Sequence, residues 1–349
     1  MKIAIATVQV PFTKGGAEIH ATLLKEQLQA RGHQADIITI PFKWYPQETL
    51  MNCMIMGRMI DLTEVNGERI DMVIAMKFPA YYVQHPNKVL WLLHQHRQAY
   101  DLWGTKYGDL HQLPDGEFIR NSIIKNDNQY ISEAKRIFTN ARNTADRLKK
   151  YNHIDAMPLY HPPINHEKLF CREYGDFIFY PSRIDEMKRQ RVLVEAARYL
   201  TTGASIYIAG SGSEREVGYL HELIDKYKLQ GKVTLLGYIS EEEKIDYYAR
   251  CLGVYFGAFD EDYGYITLEA FFSRKPVIVH LDAGGPLEFV EHDLNGYVLD
   301  ADPKAVAQKI DELYSHKHTA QKLGQFGYES MKNKNISWDN VINRLLAIS

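Results

Sequence analysis

The chain has 349 residues, 45% of them apolar and 24% charged, with 41 Lys and Arg against 44 Asp and Glu. That length suits two cores rather than one, and a formal charge of −3 excludes both the strongly basic balance of a nucleic-acid binder and the composition of a disordered chain. Cys53, Cys171 and Cys251 stand far apart with no C-x-x-C pair, which argues against a disulfide framework or a zinc site and suits a reducing compartment.

The opening MKIAIATVQVPFTKGG lacks a small-residue cleavage site and reads as a first β-strand rather than a leader. No apolar run reaches the length of a spanning helix, so any membrane contact is expected to be peripheral. KIAIATV, the loop PFTKGGAE, the amphipathic AEIHATLLKEQLQARG closed by Gly32, and ADIITI form one βαβ unit. Further strands are predicted at DMVIAM (71–76), KVLWLL (88–93) and RIFT (136–139), with helical stretches between them. Prolines in YHPPINHEKLF (160–170) then interrupt the pattern and mark a domain boundary. Alternation restarts with DFIFYPSR, a helix from about Gln190, SIYIAG, a helix from about Ser213, VTLLGY, GVYFGAF (253–259), a helix near Tyr265, PVIVH (276–280) and the final helices. Such alternation predicts an α/β chain with a parallel, doubly wound sheet in each half. Ligands are then expected at the C-terminal ends of the strands, in a cleft between the halves.

Polar residues gather after the second half's strands. Ser182, Arg183 and Lys188 follow DFIFY, Gly210-Ser211-Gly212-Ser213 follows SIYIA, and EDYGYITLE (261–269) follows GVYFGAF. An arginine fork and a lysine point charge at a strand end suit a diphosphate, although DEMKRQR reads equally as a solvated basic turn. GSGSER begins like a dinucleotide fingerprint but carries Arg215 at the third glycine position, and a plain turn out of the sheet explains it as well. In EDYGYITLEAFF a helix is expected just after Gly264, which places Glu261 in the loop and Glu269 on the helix. Free amides of Tyr265, Ile266 and Thr267 would then form an anion site. Carboxylates repel phosphate, so the two glutamates would meet sugar or ribose hydroxyls; the plainer alternative is two solvated side chains. Gly284-Gly285 precede a Pro-led helix with Glu288, and Gly15 and Gly16 precede the first helix, where a backbone can approach a ligand closely. His94 and His96 follow KVLWLL at another strand end, as structural residues or as site residues.

Taken in order, GGAE (15–18), RGH (31–33), a histidine after a first-half strand, SRIDEMK (182–188), AGSGSE (209–214), E-x-Y-G-x-x-x-x-E (261–269) and PVIVHLDAGGPLE resemble the retaining glycosyltransferases of family 4. The resemblance covers nearly the whole chain, and the paired glutamates with Arg and Lys upstream are its most specific part. It implies a GT-B fold, two Rossmann-like doubly wound domains facing across a cleft. Residues 1–168 would be the N-terminal acceptor-binding domain, with the C-terminal helix (335–349) crossing back to it, and residues 169–334 the nucleotide-sugar donor-binding domain. By the same resemblance Arg183 and Lys188 would bind the donor diphosphate, Glu269 the ribose hydroxyls and Glu261 the transferred sugar. Gly15, Gly16 and Gly210 would lie against the donor, with Gly264, Tyr265, Ile266 and Thr267 at its anion site. His94, preferred over His96, would lie near the reacting centre, and the base near Gly237 and Tyr238. Ser182 and Arg189 stand where the family commonly has glycine.

The implied reaction moves a hexose-type sugar from a nucleotide-sugar, UDP-linked in preference to GDP-linked, to a saccharide or lipid-linked acceptor. Polysaccharide, lipopolysaccharide or glycolipid synthesis is the implied setting, with the anomeric configuration retained by a front-face route. No cofactor and no metal is expected, because Arg183, Lys188 and the helix amides would stabilise the leaving diphosphate. The DED letters at 260–262 include Glu261, which the resemblance already assigns. No nucleic-acid partner is expected. The Met- and aromatic-rich stretch 41–62 and the cation-rich stretch 133–150 offer a peripheral membrane surface, or else a buried helix and a solvated face. A cytoplasmic location, with association at the inner face of the membrane, follows from that reading. Two other readings compete: a nucleotide-sugar epimerase or a dinucleotide-dependent oxidoreductase, the latter opposed by the missing third glycine, and a catalytically silent nucleotide-sugar binding protein.

Overall fold

Short, largely apolar runs of two to eight residues alternate with amphipathic helices, and in the computed structural model they build two six-stranded, all-parallel sheets. The structure describes residues 1–12 and 15–347. They divide into two units, one running to Ile164 and resuming at Ser337, the other of residues 165–336.

The first unit contains, in chain order, β1 (Lys2–Gln9), α1 (Gly16–Ala30), β2 (Gln34–Pro41), α2 (Glu48–Met59), the small hairpin β3 (Glu64–Val65) and β4 (Glu68–Arg69), β5 (Met72–Lys77), β6 (Lys88–His94), α3 (Gly116–Ile131), β7 (Arg136–Thr139), α4 (Arg142–Asn152) and β8 (Met157–Pro158). Its sheet runs β2-β1-β5-β6-β7-β8. Period-two alternation assigns the two faces: Ala4, Ala6, Val73 and Leu90 meet Leu50 and Met54 of α2 and Ile119 and Ile123 of α3. Ile3, Ile5, Ile74 and Trp91 meet Leu24 and Leu28 of α1 on the other side.

The second unit follows with β9 (Phe177–Pro181), α5 (Gln190–Ala196), β10 (Ser205–Ala209), α6 (Glu214–Lys226), β11 (Val233–Gly237), α7 (Glu241–Arg250), β12 (Gly253–Phe256), α8 (Tyr265–Phe272), β13 (Val277–His280), β14 (Gly296–Leu299), α9 (Pro303–Ser315) and α10 (Lys317–Asn333). Its sheet runs β11-β10-β9-β12-β13-β14, so the chain reverses direction across the sheet between β9 and β12. The loops after these two strands therefore stand side by side at the carboxyl edge, the usual ligand position in such sheets.

The last helix, α11 (Trp338–Leu346), packs in the first unit, where Trp338, Val341, Ile342 and Leu345 join the core beneath α1. Arg136 of β7 donates to the carbonyls of Arg344 and Leu345 at 2.9 Å each, capping the end of α11 with a cation as its dipole favours.

Candidate active site

Four strand-end loops of the second unit are joined by main-chain hydrogen bonds. Ser182 N–H donates to the Ala209 carbonyl and Ile184 N–H to that of Ser211, both at 2.9 Å, tying the β9 loop to the β10 loop. Phe259 N–H donates to Met187 at 2.8 Å, and Asp260 and Glu261 donate to Asp282 and Ala283 at 2.8 Å each. Ile184 pairs with Gly212, and Glu261 with Gly284, as single parallel bridges beyond the strands proper. These bonds place the polar residues of the second half along one continuous edge.

Glycine is required where that edge is tightest. At Gly210, with φ of 135°, an added Cβ would lie 2.0 Å from the Ser182 carbonyl oxygen. At Gly264, with φ of 83°, it would lie 2.7 Å from Pro286. Gly237 is also left-handed, at φ of 68°, where β10 and β11 slip register, and Tyr238 beyond it is 83% exposed.

Lys188 and Glu261 form an ion pair, and the Lys188 ammonium lies 5.7 Å from the Phe256 ring centroid. An ammonium has three donors, so Lys188 can keep Glu261 and still face an anion. Arg183 points outward, 71% exposed along its side chain, with Asp185 at 3.4 Å. Arg189, held in the left-handed region at φ of 53°, makes a two-pronged contact with Asp282 at 2.7 Å on each oxygen. Its guanidinium, first by those hydrogen bonds, holds the Asp282 carboxyl below the usual range.

The helix after Gly264 differs from expectation in its first turn. Thr267 N–H is not free: it donates to the Gly264 carbonyl at 3.0 Å, because the left-handed Gly264 turns its own C=O toward the helix. Thr267 Oγ1 is buried and has no hydrogen-bond partner among the described residues. Tyr265 and Ile266 complete the first turn. One helical repeat further, Glu269 is 6% exposed and accepts from Lys244 Nζ at 3.0 Å and Tyr248 Oη at 2.8 Å. Burial alone would lower the Lys244 pKa, but the carboxylates of Glu269 and Glu241 outweigh it and hold it above the ordinary value. Burial, reinforced by Glu269, pushes the Tyr248 phenol well above its ordinary range.

Lys244, Tyr248 and Asp282 are not among the site residues expected from sequence, and Arg189 figures there only as a departure from the family pattern. The spacing of Lys244 and Tyr248 puts them on one face of α7, which was a usable signal, but their common target lies on another helix. The other candidates belong to the first unit. Gly15 is the N-cap of α1, its N–H donating to Glu18 Oε2 at 2.8 Å, and Gly16 is the first helical residue. Thr13 and Lys14 of that loop lie outside the described residues. His94 ends β6, with Nδ1 2.6 Å from the Gln95 carbonyl oxygen. His96, two residues on, packs against Phe78 and Phe42.

Residues 163–330 match the family model of glycosyl transferases group 1. The match spans nearly all of the second unit. Over 98% of this chain and 96% of its own length, an uncharacterized glycosyltransferase of Methanocaldococcus jannaschii is 24% identical. The alpha-1,3/1,6-mannosyltransferase ALG2 of Dictyostelium discoideum is 22% identical, with 77% of this chain and 73% of that protein covered. Anabaena HepE, solved in complex with UDP and glucose, is similar with a TM-score of 0.69 at 13% identity, covering 99% of this chain and 98% of that one. The structural likeness shows a GT-B fold, and the family match with the relatives supports a glycosyltransferase.

Proposed function

We propose that the protein is a retaining, metal-independent glycosyltransferase that moves a hexose from a nucleotide-sugar to a saccharide or lipid-linked acceptor. The observation that carries the proposal is the edge where Lys188, Glu261 and the first turn of α8 stand together, with the buried Glu269 one helical repeat behind. In this reading the donor diphosphate lies over the start of α8 with Lys188 and Arg183, Glu261 holds the transferred sugar, and Glu269 takes the ribose hydroxyls. Gly15, Gly16, Gly210, Gly237 and Tyr238 border the donor, and His94 serves the reacting centre.

As the bond from the anomeric carbon to the diphosphate oxygen breaks, negative charge grows on the leaving group. In this reading Lys188 and the amides of Tyr265 and Ile266 face that charge and stabilise it, and the exposed Arg183 side chain turns toward it when the donor binds. The acceptor oxygen attacks from the same face, and its proton passes to the departing phosphate oxygen. The UDP held by HepE supports a UDP-sugar, while the mannosyltransferase relative keeps mannose among the sugars to test.

Peripheral membrane contact is supported by α2, whose Ile55 and Met59 are 55% and 76% exposed. The basic stretch of 133–150 supports it less, because Arg136 caps α11, Arg147 faces Asp101 and Lys149 pairs with Asp155. No helix among the described residues is long and apolar enough to cross a membrane, and we place the protein in the cytoplasm.

Thermal shift with UDP, GDP, ADP and their sugars tests the donor, since a ligand that binds only the folded state raises its stability. Donor turnover should vanish in Glu269→Ala, and Lys188→Ala should raise the barrier by about 2–4 kcal/mol, the cost of one oxyanion donor. Near wild-type transfer in Glu269→Ala would refute the assignment, and loss of transfer on adding a chelator would refute metal independence.

A further inference from the structure

Between α1 and the strands β1 and β2, the first unit holds a pocket of about 310 Å3 that the transferase reading does not use. Val8, Ile19, Leu23, Ile37 and Ile164 give it apolar walls. Thr7 is the one buried polar residue of the lining, 3% exposed, on the same face of β1 as Ile3 and Ile5. Its hydroxyl has no hydrogen-bond partner among the described residues. A buried hydroxyl left unpaired costs free energy, and a polar atom of a ligand in the pocket would remove that cost.

Charge decides which ligand fits. Glu18 and Glu26 line the pocket, and among the described residues no Lys, Arg or His does. Lys25, beside Glu26 in sequence, pairs with Asp36 at 2.8 Å and stands outside the lining. The pocket therefore repels phosphate and carboxylate and attracts cations. Glu18 accepts from Gly15 N–H at 2.8 Å, and a carboxylate has room for further donors. The two glutamates are separated along α1 by a rise of about 12 Å, and Thr22 lies between them in four-residue steps, on the same side of the helix. A ligand that meets both carboxylates has a cation at each end, with methylenes against the apolar walls between them. A nitrogen partway along such a chain suits the Thr7 hydroxyl, which donates to an amine or accepts from an ammonium.

We propose that this pocket binds a linear aliphatic polyamine of the spermidine class. Its terminal ammoniums meet Glu18 and Glu26, its methylenes lie against Leu23, Ile37 and Ile164, and an inner nitrogen pairs with the Thr7 hydroxyl. The site lies wholly within the first unit and stands independently of the transferase reading.

Calorimetric titration of the intact protein with spermidine tests the proposal at physiological ionic strength, where distant exposed charges are screened. Octamethylenediamine is the matched probe: it has the same chain length and terminal amines, with a methylene in place of the inner nitrogen. Spermidine should bind more tightly than octamethylenediamine, and octanediol should not bind. Thr7→Val, nearly isosteric, should weaken spermidine about tenfold, the worth of one hydrogen bond to a charged group, and leave octamethylenediamine unchanged. Glu26→Gln should weaken both amines about threefold, as for one exposed ion pair. Glu242→Gln, in the acidic first turn of α7, should weaken neither. Unchanged circular dichroism would show that the variants fold. Wild-type protein that binds no spermidine overturns the inference. So does an equal loss in Glu242→Gln, the mark of unspecific charge attraction, or a Thr7→Val effect of the same size on both amines, the mark of altered packing alone.

Discussion

Glu269 is a carboxylate buried to 6% exposure, and such a group is tolerated only when its charge is answered. Lys244 and Tyr248 answer it, one oxygen each. Replacing Lys244 with Met would leave the carboxylate facing Tyr248 alone, at a cost of about 3 kcal/mol for an uncompensated buried charge. The double variant Lys244→Met with Glu269→Leu should recover most of that stability in urea unfolding, because no charge then remains buried. Nucleotide binding should stay lost in the double variant if Glu269 holds the ribose. Equal destabilisation by the single and double changes would show that the pair is not energetically coupled. Glu269 itself was legible as half of a spaced glutamate pair. Its partners were not, since Lys244 precedes it by 25 positions and only packing of α7 against α8 brings them together.

At the scale of elements, α3 is pinned to its surroundings by one side chain. Asp127 is fully buried and accepts from Tyr81 at 2.9 Å and from Tyr82 and Tyr100 at 2.6 Å each. Desolvation raises its pKa from 3.8 to about 6, against the opposing pull of the three phenols. A carboxyl whose folded pKa lies above its unfolded value contributes stability that is complete below pH 4 and is lost as pH rises through 6. The rise corresponds to roughly 3 kcal/mol. Asp127→Asn keeps the acceptor and removes the titration, so its melting temperature should gain on the wild type between pH 4 and 7. A difference that stays constant across that range would contradict the assignment. Most element types were legible: the predicted strand after DMVIAM appears as β6, and the helix expected near Tyr265 starts there, whereas the short strands β3, β4, β8 and β14 were not predicted. What escaped was the capping of Thr267, because the turn at Gly264 is left-handed and sits where an added Cβ would meet Pro286 and Phe256 from other parts of the chain.

Across the whole molecule, the chain passes from the first unit to the second after Ile164 and returns after Ile336. α11 gives Trp338, Val341, Ile342 and Leu345 to the core of the first unit. Each buried side chain of this size is worth about 1.5–3 kcal/mol, so the helix carries a sum comparable with the whole stability of a domain. Ending the chain after Ile336 should abolish hydrogen-exchange protection in β1, β6 and α1 while protection in β9 and β12 persists. Retained protection in β1 would show that the first unit folds without α11.

The sequence by itself determined the class of fold, the alternation of strands and helices and the strand ends where polar residues collect, because periodicity and glycine placement act over a few neighbouring residues. The tertiary structure alone decided that Lys188 pairs with Glu261, that Arg189 clasps Asp282, that Asp127 draws in three tyrosines and that Thr7 shares a pocket with Glu18 and Glu26. Those pairings join side chains from different elements, and their energies depend on burial and distance, which exist only once the sheets have ordered their strands.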